Sequence, residues 1–421
     1  MPLTIHLATT QPTYHGGESL TGIVSFTTTT PIPLHQIHIS FTAISKTRVQ
    51  KVKGAGAPAA NYRSSVTLFE KDKLLLYQNG DVLAPGEYEW PFDFVFPENV
   101  SLIGEEKAGT GKWAALAPFR VDEGHPLPPS FSIQSGDAVR KVHCVVEYRL
   151  EARVLKPQGG LFGSKAPLFS ESILLDFLSS LSISNTGGVD PYTTIYRQNK
   201  EQLFTIKSML LLPENRGRSL GFGEKVSSWF STRLPRFSFQ VNFSYPTSLV
   251  QFAPFPCHFD VEGFMEDSNV TQVPEIQLRS LSIAVISRTV ARAVPTLVGA
   301  MSAELDERIE VLNRTGLSMP VFGRVDISQV FGPLIIRKTD VSFSTLNICR
   351  SYRLSLAAVF ECAGKTNEFK YEDMPIEIIA AGEGNVMDKT EQGVVEVDRR
   401  DELPPVYTPD STSPVATWEK S

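Results

Sequence analysis

Apolar and polar side chains alternate along most of this chain, which is the pattern of β-strands with one face buried and one face in water. From Val142 to Val154 every second residue is apolar, and Val145 alone interrupts the alternation. The same alternation recurs in segments 20–27, 37–43, 66–77, 88–96, 237–243, 257–264, 341–348, 352–360 and 369–379. Turn sequences such as Ala84-Pro85-Gly86 separate these segments. Many short strands with few helical stretches predict antiparallel β-sandwiches.

Two parts of the chain resemble each other in the same order. The sequence ISFTAISKT at residues 39–47 resembles LSIAVISRT at residues 281–289. Further along each half, the sequence YRL occurs at residues 148–150 and again at 352–354. Two similar sandwiches with loops of different length would produce this order. Because each match is short, chance similarity between two strands is the alternative.

Changes in composition divide the chain into four regions. Residues 1–184 are predicted to form a first sandwich and residues 203–381 a second one, with a polar hinge at 185–202 between them. Within the second sandwich, segment 214–236 is basic and aromatic rather than alternating. Residues 382–421 are polar and acidic with no apolar period, so we expect a disordered tail there.

The composition of the 421 residues excludes several classes of protein. Lysine and arginine together number 40 against 46 acidic residues, and the resulting net charge of −6 argues against nucleic-acid binding. No apolar run approaches the roughly 18 residues of a membrane span, and the N-terminus lacks the features of a signal peptide. Four cysteines without a CxxC pair indicate neither a zinc finger nor a disulfide scaffold, and Cys144 and Cys349 are expected to be buried. We therefore expect a cytoplasmic protein without metal or cofactor.

Catalytic motifs are weakly represented. The sequence GRSLG at residues 217–221 matches the GxSxG pattern, in which Ser219 would be the nucleophile of a serine hydrolase. That motif requires a parallel α/β sheet around it, whereas this chain is predicted to be all-β, so chance is the favoured interpretation. His35 and His38, three residues apart on a strand, would face opposite sides and could not share a metal. We expect no enzyme, with the hydrolase kept as the alternative of another class.

The tail carries the sequence Leu403-Pro404-Pro405-Val406-Tyr407. Adjacent prolines hold the backbone in an extended polyproline helix, which docks in the aromatic grooves of WW domains. The spacing Pro-Pro-x-Tyr places the tyrosine where such domains have a second pocket. We therefore predict that Leu403, Pro404, Pro405 and Tyr407 form a WW-domain ligand. The alternative is an ordinary proline-rich tail that contains one tyrosine.

Within segment 214–236, five side chains would form a short apolar stripe edged by charge if the segment were helical: Phe222, Lys225, Trp229, Phe230 and Arg233. Such a stripe suits an anionic membrane surface. The alternative, which is somewhat favoured, is that Trp229 and Phe230 pack under a long loop onto the second sandwich.

Several short motifs resemble those of the alpha-arrestins, the arrestin-related trafficking adaptors. They are YHGGE at 14–18 with LTGIV at 20–24, LAPGEY at 83–88 with WPFDF at 90–94, VVEY at 145–148 and NICRSY at 347–352. Their order is that of the family, and the likeness covers about residues 1–381. The resemblance implies the arrestin fold, which is two tandem antiparallel immunoglobulin-like β-sandwiches, here followed by the disordered tail.

The resemblance also implies a function. Alpha-arrestins bind plasma-membrane transporters or receptors as cargo and recruit HECT-type ubiquitin ligases with WW domains through Pro-Pro-x-Tyr. Ubiquitination and endocytosis of the cargo follow, so the expected location is cytoplasmic and peripheral at the plasma membrane and endosomes. The alternative within the same fold is a scaffold for signalling or endosomal sorting without ligase recruitment. Paired lysines after the first strand are absent, which argues against direct sensing of phosphorylated receptors.

Overall fold

The computed structural model describes most of the chain before residue 381. The described residues are 2–9, 11–51, 60–77, 82–101, 119, 125–136, 140–155, 167–179, 197–215, 234–266, 270–296, 299–337 and 339–380. They are almost all β-structure, so the predicted all-β class with antiparallel sandwiches is confirmed. None of the helices within these ranges is long and apolar enough to cross a membrane.

Strands of the first sandwich follow one another from the N-terminus to residue 175. They are β1 (Leu3–Leu7), β2 (Ser19–Thr28), β3 (Ile32–Pro33), β4 (Gln36–Lys51), β5 (Ala60–Tyr77), β6 (Val82–Leu83), β7 (Gly86–Val95), β8 (Phe131–Gly136), β9 (Arg140–Leu155) and β10 (Phe169–Leu175). One sheet has the order β1-β2-β7 and the other β10-β9-β4-β5, with β8 beside β9. Neighbouring strands in both sheets are antiparallel.

Close packing of the smaller sheet explains a glycine in the LTGIV motif. A Cβ on Gly22 would lie 2.6 Å from Cζ of Phe92 and closer still to the carbonyl oxygen of His6. Gly22 is therefore required where β2 passes between β1 and β7. The two sheets enclose an aromatic core in which Phe41 packs edge-on against Phe69 and Phe96, with ring centroids 4.9 and 4.7 Å apart.

The second sandwich begins at residue 197. Its strands are β11 (Arg197–Lys207), β12 (Arg236–Pro246), β13 (Ser248–Val250), β14 (His258–Phe264), β15 (Ile276–Thr296), β16 (Gly299–Arg314), β17 (Met319–Pro320), β18 (Gly323–Asp326), β19 (Phe343–Ser344), β20 (Ile348–Cys362) and β21 (Lys365–Ile379). Its described residues also form two 3₁₀ turns (Met209–Leu211, Pro213–Asn215) and the short helix α1 (Ile327–Phe331). One sheet has the order β11-β12-β14-β18 and the other β13-β21-β20-β15-β16.

The larger sheets of the two sandwiches have the same strand order. The order β10-β9-β4-β5 in the first corresponds to β21-β20-β15-β16 in the second, as the sequence duplication predicts. In both, a buried tyrosine donates its hydroxyl to the carbonyl of a preceding loop, Tyr148 to Pro128 and Tyr352 to Asp340. The two YRL sequences therefore occupy equivalent strands, β9 and β20.

The structure corrects two expectations near residue 345. Segment 341–348 was predicted as one strand, but β19 covers only Phe343–Ser344 and β20 starts at Ile348. The Thr345 hydroxyl accepts from the backbone N–H of Ile348 at 2.9 Å, so a side chain closes a turn where a strand was expected. Cys349 is half-buried rather than buried, because the inward positions of β20 are those of Ile348 and Arg350.

The predicted hinge overlaps the first strand of the second sandwich. Strand β11 starts at Arg197 and pairs along its whole length with β12, so residues 197–202 of the predicted hinge 185–202 are part of the second sandwich. Residues 185–196 and the tail 382–421 lie outside the described residues.

Candidate functional site

The two sandwiches meet along a continuous contact that we call the seam, formed around Ser45, Thr47, Arg292, Asn347 and Arg350. Strand β4 has 16 residues, and its far end extends beyond the first sandwich to contact β15 and β16. There the apolar core of the first sandwich continues into the second through Ala291, Ala293, Ala303, Phe343 and Ile348. The alanines leave room for the strands to approach closely. A seam with a shared core couples the sandwiches more firmly than a polar interdomain contact would.

A buried polar cluster lies at the centre of the seam. The Ser45 hydroxyl donates to Oδ1 of Asn347 at 2.6 Å, and Nδ2 of Asn347 donates back to the carbonyl oxygen of Ser45 at 3.1 Å. The Thr345 hydroxyl lies 3.0 Å from Oγ of Ser45 and 3.0 Å from Oδ1 of Asn347. All three residues are buried. Because buried polar groups without partners cost free energy, these bonds fix one relative position of the two sandwiches.

Strand β15 is held to β4 by a second set of bonds. The Thr47 hydroxyl donates to the carbonyl oxygen of Arg292 at 2.7 Å, and the backbone N–H of Arg292 donates to the carbonyl oxygen of Asn347 at 2.8 Å. The Arg292 guanidinium lies 3.7 Å from the ring centroid of Phe119. These contacts satisfy the backbone of β15 beyond its last pair with β20, where the strand contacts the first sandwich.

Arg350 is a buried cation at the edge of the seam, with a side chain only 4% exposed. It donates to the Tyr352 hydroxyl at 2.8 Å and to the Thr289 hydroxyl at 2.6 Å, and it forms an ion pair with Asp340 at 3.3 Å. Its guanidinium also lies 5.3 Å from the ring of Phe131 in the first sandwich. A buried charge is tolerated only with such partners. Through them Arg350 connects strands β15 and β20 with Asp340 and with the ring of Phe131.

A cavity of about 250 Å³ adjoins Arg350 between the sandwiches. Leu127 and Phe343 form its apolar lining, and Arg350 and Glu377 contribute charges of opposite sign. The edge of the seam therefore holds an open, mostly apolar cavity with one charge of each sign, whereas the centre of the seam is closed.

Burial determines the reactivity of the described cysteines. A nucleophilic cysteine requires a lowered pKa. Burial raises the pKa of the Cys144 and Cys362 thiols to about 12, and burial also raises the pKa of Cys257 and Cys349. Within the described ranges, no group of three or more histidine, cysteine or acidic residues is arranged to hold a metal ion.

The functional residues predicted from the sequence lie outside the part of the chain that the structure describes. The WW-ligand residues Leu403, Pro404, Pro405 and Tyr407 lie outside the described residues. The same holds for Ser219 and for the membrane-contact candidates Phe222, Lys225, Trp229, Phe230 and Arg233. These assignments remain predictions.

Sequence reasoning missed the seam, although a signal exists. Ser45 and Thr47 occupy the same inward positions of β4 as Phe41 and Ala43, which an uninterrupted core strand would fill with apolar residues. Ser287 and Thr289 break the pattern of β15 in the same way, and Arg350 breaks that of β20. Polar residues at inward positions of three strands indicate a buried polar contact there.

One comparison with known proteins gives a match. Residues 3–112, about a quarter of the chain, match the family model for the N-terminal domain of arrestin (or S-antigen). No curated protein matches the chain. The matched segment contains β1 to β7, and together with the two antiparallel sandwiches it supports an arrestin-fold protein.

Proposed function

We propose that this arrestin-fold protein is an adaptor that links membrane-protein cargo to a HECT-type ubiquitin ligase, of the kind represented by the alpha-arrestins. The fold supports an adaptor or scaffold role in general. The finer assignment rests on one observation, the sequence Leu403-Pro404-Pro405-Val406-Tyr407 after the second sandwich. Ubiquitination and endocytosis of a plasma-membrane transporter or receptor would follow, with the adaptor located at the plasma membrane and endosomes.

An adaptor of this kind acts by bringing two proteins together and needs no catalytic groups of its own. A ligase attached to the same chain as the cargo meets the cargo lysines at a high effective concentration. The seam supports this role, because a shared core and the Ser45–Asn347 bonds hold both sandwiches as one body that can present a wide surface to cargo.

The ligase half of the proposal is tested by changing the tail. The variant Pro405→Ala/Tyr407→Ala removes the groove-filling proline and the tyrosine ring, so capture of WW domains by the full chain should be lost. The matched control Pro409→Ala/Pro414→Ala changes two prolines of the same tail outside the motif and should leave capture unchanged. Equal capture by both variants would remove the ligase from the proposed function. Cargo sorting that persists in the first variant would instead favour a scaffold that acts without a ligase.

A further inference from the structure

The outward face of the strands that form the seam carries a concave basic surface. We call it the basic pocket and define it by Lys46, Arg48, Arg63 and His143. It is a cavity of about 410 Å³ across β5, β4 and β9. The buried side chain of Val145 also lines it. A cavity of this size is large enough for a small organic or polyphosphate ligand.

Strand register places the basic side chains of the pocket side by side. Arg48 lies directly opposite Arg63 on β5 and directly opposite His143 on β9. Directly opposite side chains have Cβ atoms about 4.5–5.5 Å apart, and like charges in that position destabilise a sheet. Lys46 follows on the same face, opposite Ser65 and Val145. The chain thus concentrates positive charge in one row although its overall charge is negative.

Acidic residues of the described chain compensate only part of this row. Glu147 is the acidic side chain lining the pocket, and its Oε2 lies 2.7 Å from Nζ of Lys46 and 3.3 Å from Nη2 of Arg149. Arg48 donates instead to the neutral Oδ1 of Asn61, at 3.3 and 3.4 Å. Within the described residues neither Arg48 nor Arg63 has a carboxylate partner, so both guanidinium groups are available to an anion.

We propose that the basic pocket binds a phosphate-bearing anion with more than one phosphate. Two guanidinium groups present paired donors that match phosphate oxygens, and the exposed Ser65 adds a hydroxyl donor. The bound anion would relieve the repulsion between Arg48 and Arg63. The same chemistry is offered by a soluble polyphosphate and by the phosphorylated headgroup of a lipid. This site is separate from the tail motif and goes beyond the proposed adaptor function.

The site is tested first with a soluble probe. Arg48→Gln/Arg63→Gln removes both guanidinium groups, and Lys207→Gln/Lys365→Gln removes the same charge from exposed positions of the second sandwich. We expect inorganic tripolyphosphate to bind the full-length chain in calorimetric titration. Binding should weaken about tenfold or more in the first variant and change less than about twofold in the second. The ligand should also raise the melting temperature of the unchanged chain and of the control, but not of the first variant.

A vesicle experiment identifies the source of the phosphate. The vesicles consist of phosphatidylcholine with phosphatidylinositol bisphosphate. If the unchanged chain and the control sediment with them but Arg48→Gln/Arg63→Gln does not, the ligand is a lipid headgroup. Tripolyphosphate binding without sedimentation would assign a soluble anion. If the unchanged chain binds neither probe, or if the first variant binds like the control, the proposal is wrong. Both arginines are exposed, so the variant should melt no lower than the unchanged chain. A loss of binding in the variant would therefore not be caused by unfolding.

Discussion

Replacing Asn347 by alanine is expected to loosen the seam. The side chain is 3% exposed, accepts from the Ser45 hydroxyl and donates to the Ser45 carbonyl oxygen. The variant leaves both Ser45 groups short of a partner in a buried place. At about 1–3 kcal/mol for each unsatisfied group, and with Thr345 still 3.0 Å from the Ser45 hydroxyl, we expect a loss of about 2–4 kcal/mol in the free energy of unfolding.

Urea unfolding followed by circular dichroism measures this loss. The matched control is Asn367→Ala, because Asn367 is half-buried and its amide donates to the Lys365 carbonyl oxygen two residues away, at 3.4 Å. The control should lose less than about 0.5 kcal/mol. A double-mutant cycle with Ser45→Ala isolates the contact between the sandwiches, and its coupling energy should be about 1–2 kcal/mol.

Two results would refute this account of the seam. One is a loss in Asn347→Ala no larger than that of the control. The other is additivity of Ser45→Ala and Asn347→Ala, because independent effects would mean that the hydrogen bonds across the seam do not stabilise the pairing of the sandwiches. Either result would also weaken the argument that the two sandwiches present cargo as one body.

Two further predictions concern the predicted membrane contact and the thiols. Lys225→Glu/Arg233→Glu should reduce sedimentation with phosphatidylserine vesicles, because two cations near an anionic surface become anions; unchanged sedimentation would mean that segment 214–236 is structural. At pH 8 a disulfide reagent should label Cys349 first, since this cysteine is half-buried. Cys144 and Cys362 should react only after unfolding, because burial raises the pKa of both thiols to about 12. Peptide mapping that finds Cys144 labelled as fast as Cys349 would contradict this.

Strands buried on one face were predictable from the sequence. In β9 and β20 the alternation of apolar and polar residues is nearly unbroken, because one side meets the core and the other meets water. Strand β16 was not predicted. It lies at the edge of its sheet, and Glu307 interrupts the apolar face that Ala303, Leu305, Ile309 and Val311 otherwise form by alternation.

The seam was beyond sequence reasoning for a different reason. The polar residues Ser45 and Thr47 are visible at inward positions of β4, but the groups that satisfy them belong to Arg292, Thr345 and Asn347, about 250 to 300 residues further along the chain. Alternation within a strand reports which face is buried and not what buries it. A contact between two sandwiches therefore requires the structure.

The duplication explains how one chain came to have a seam of this kind. The sequences ISKT and ISRT place Ser45 and Thr47 in β4, and Ser287 and Thr289 in β15, at equivalent inward positions. In the first copy these hydroxyls bond across the seam, whereas Thr289 accepts from Arg350 within the second sandwich. Arg350 in turn reaches Phe131 of the first sandwich. Polar residues of both copies thus contribute to the same interface, so a change in either copy should affect both sandwiches.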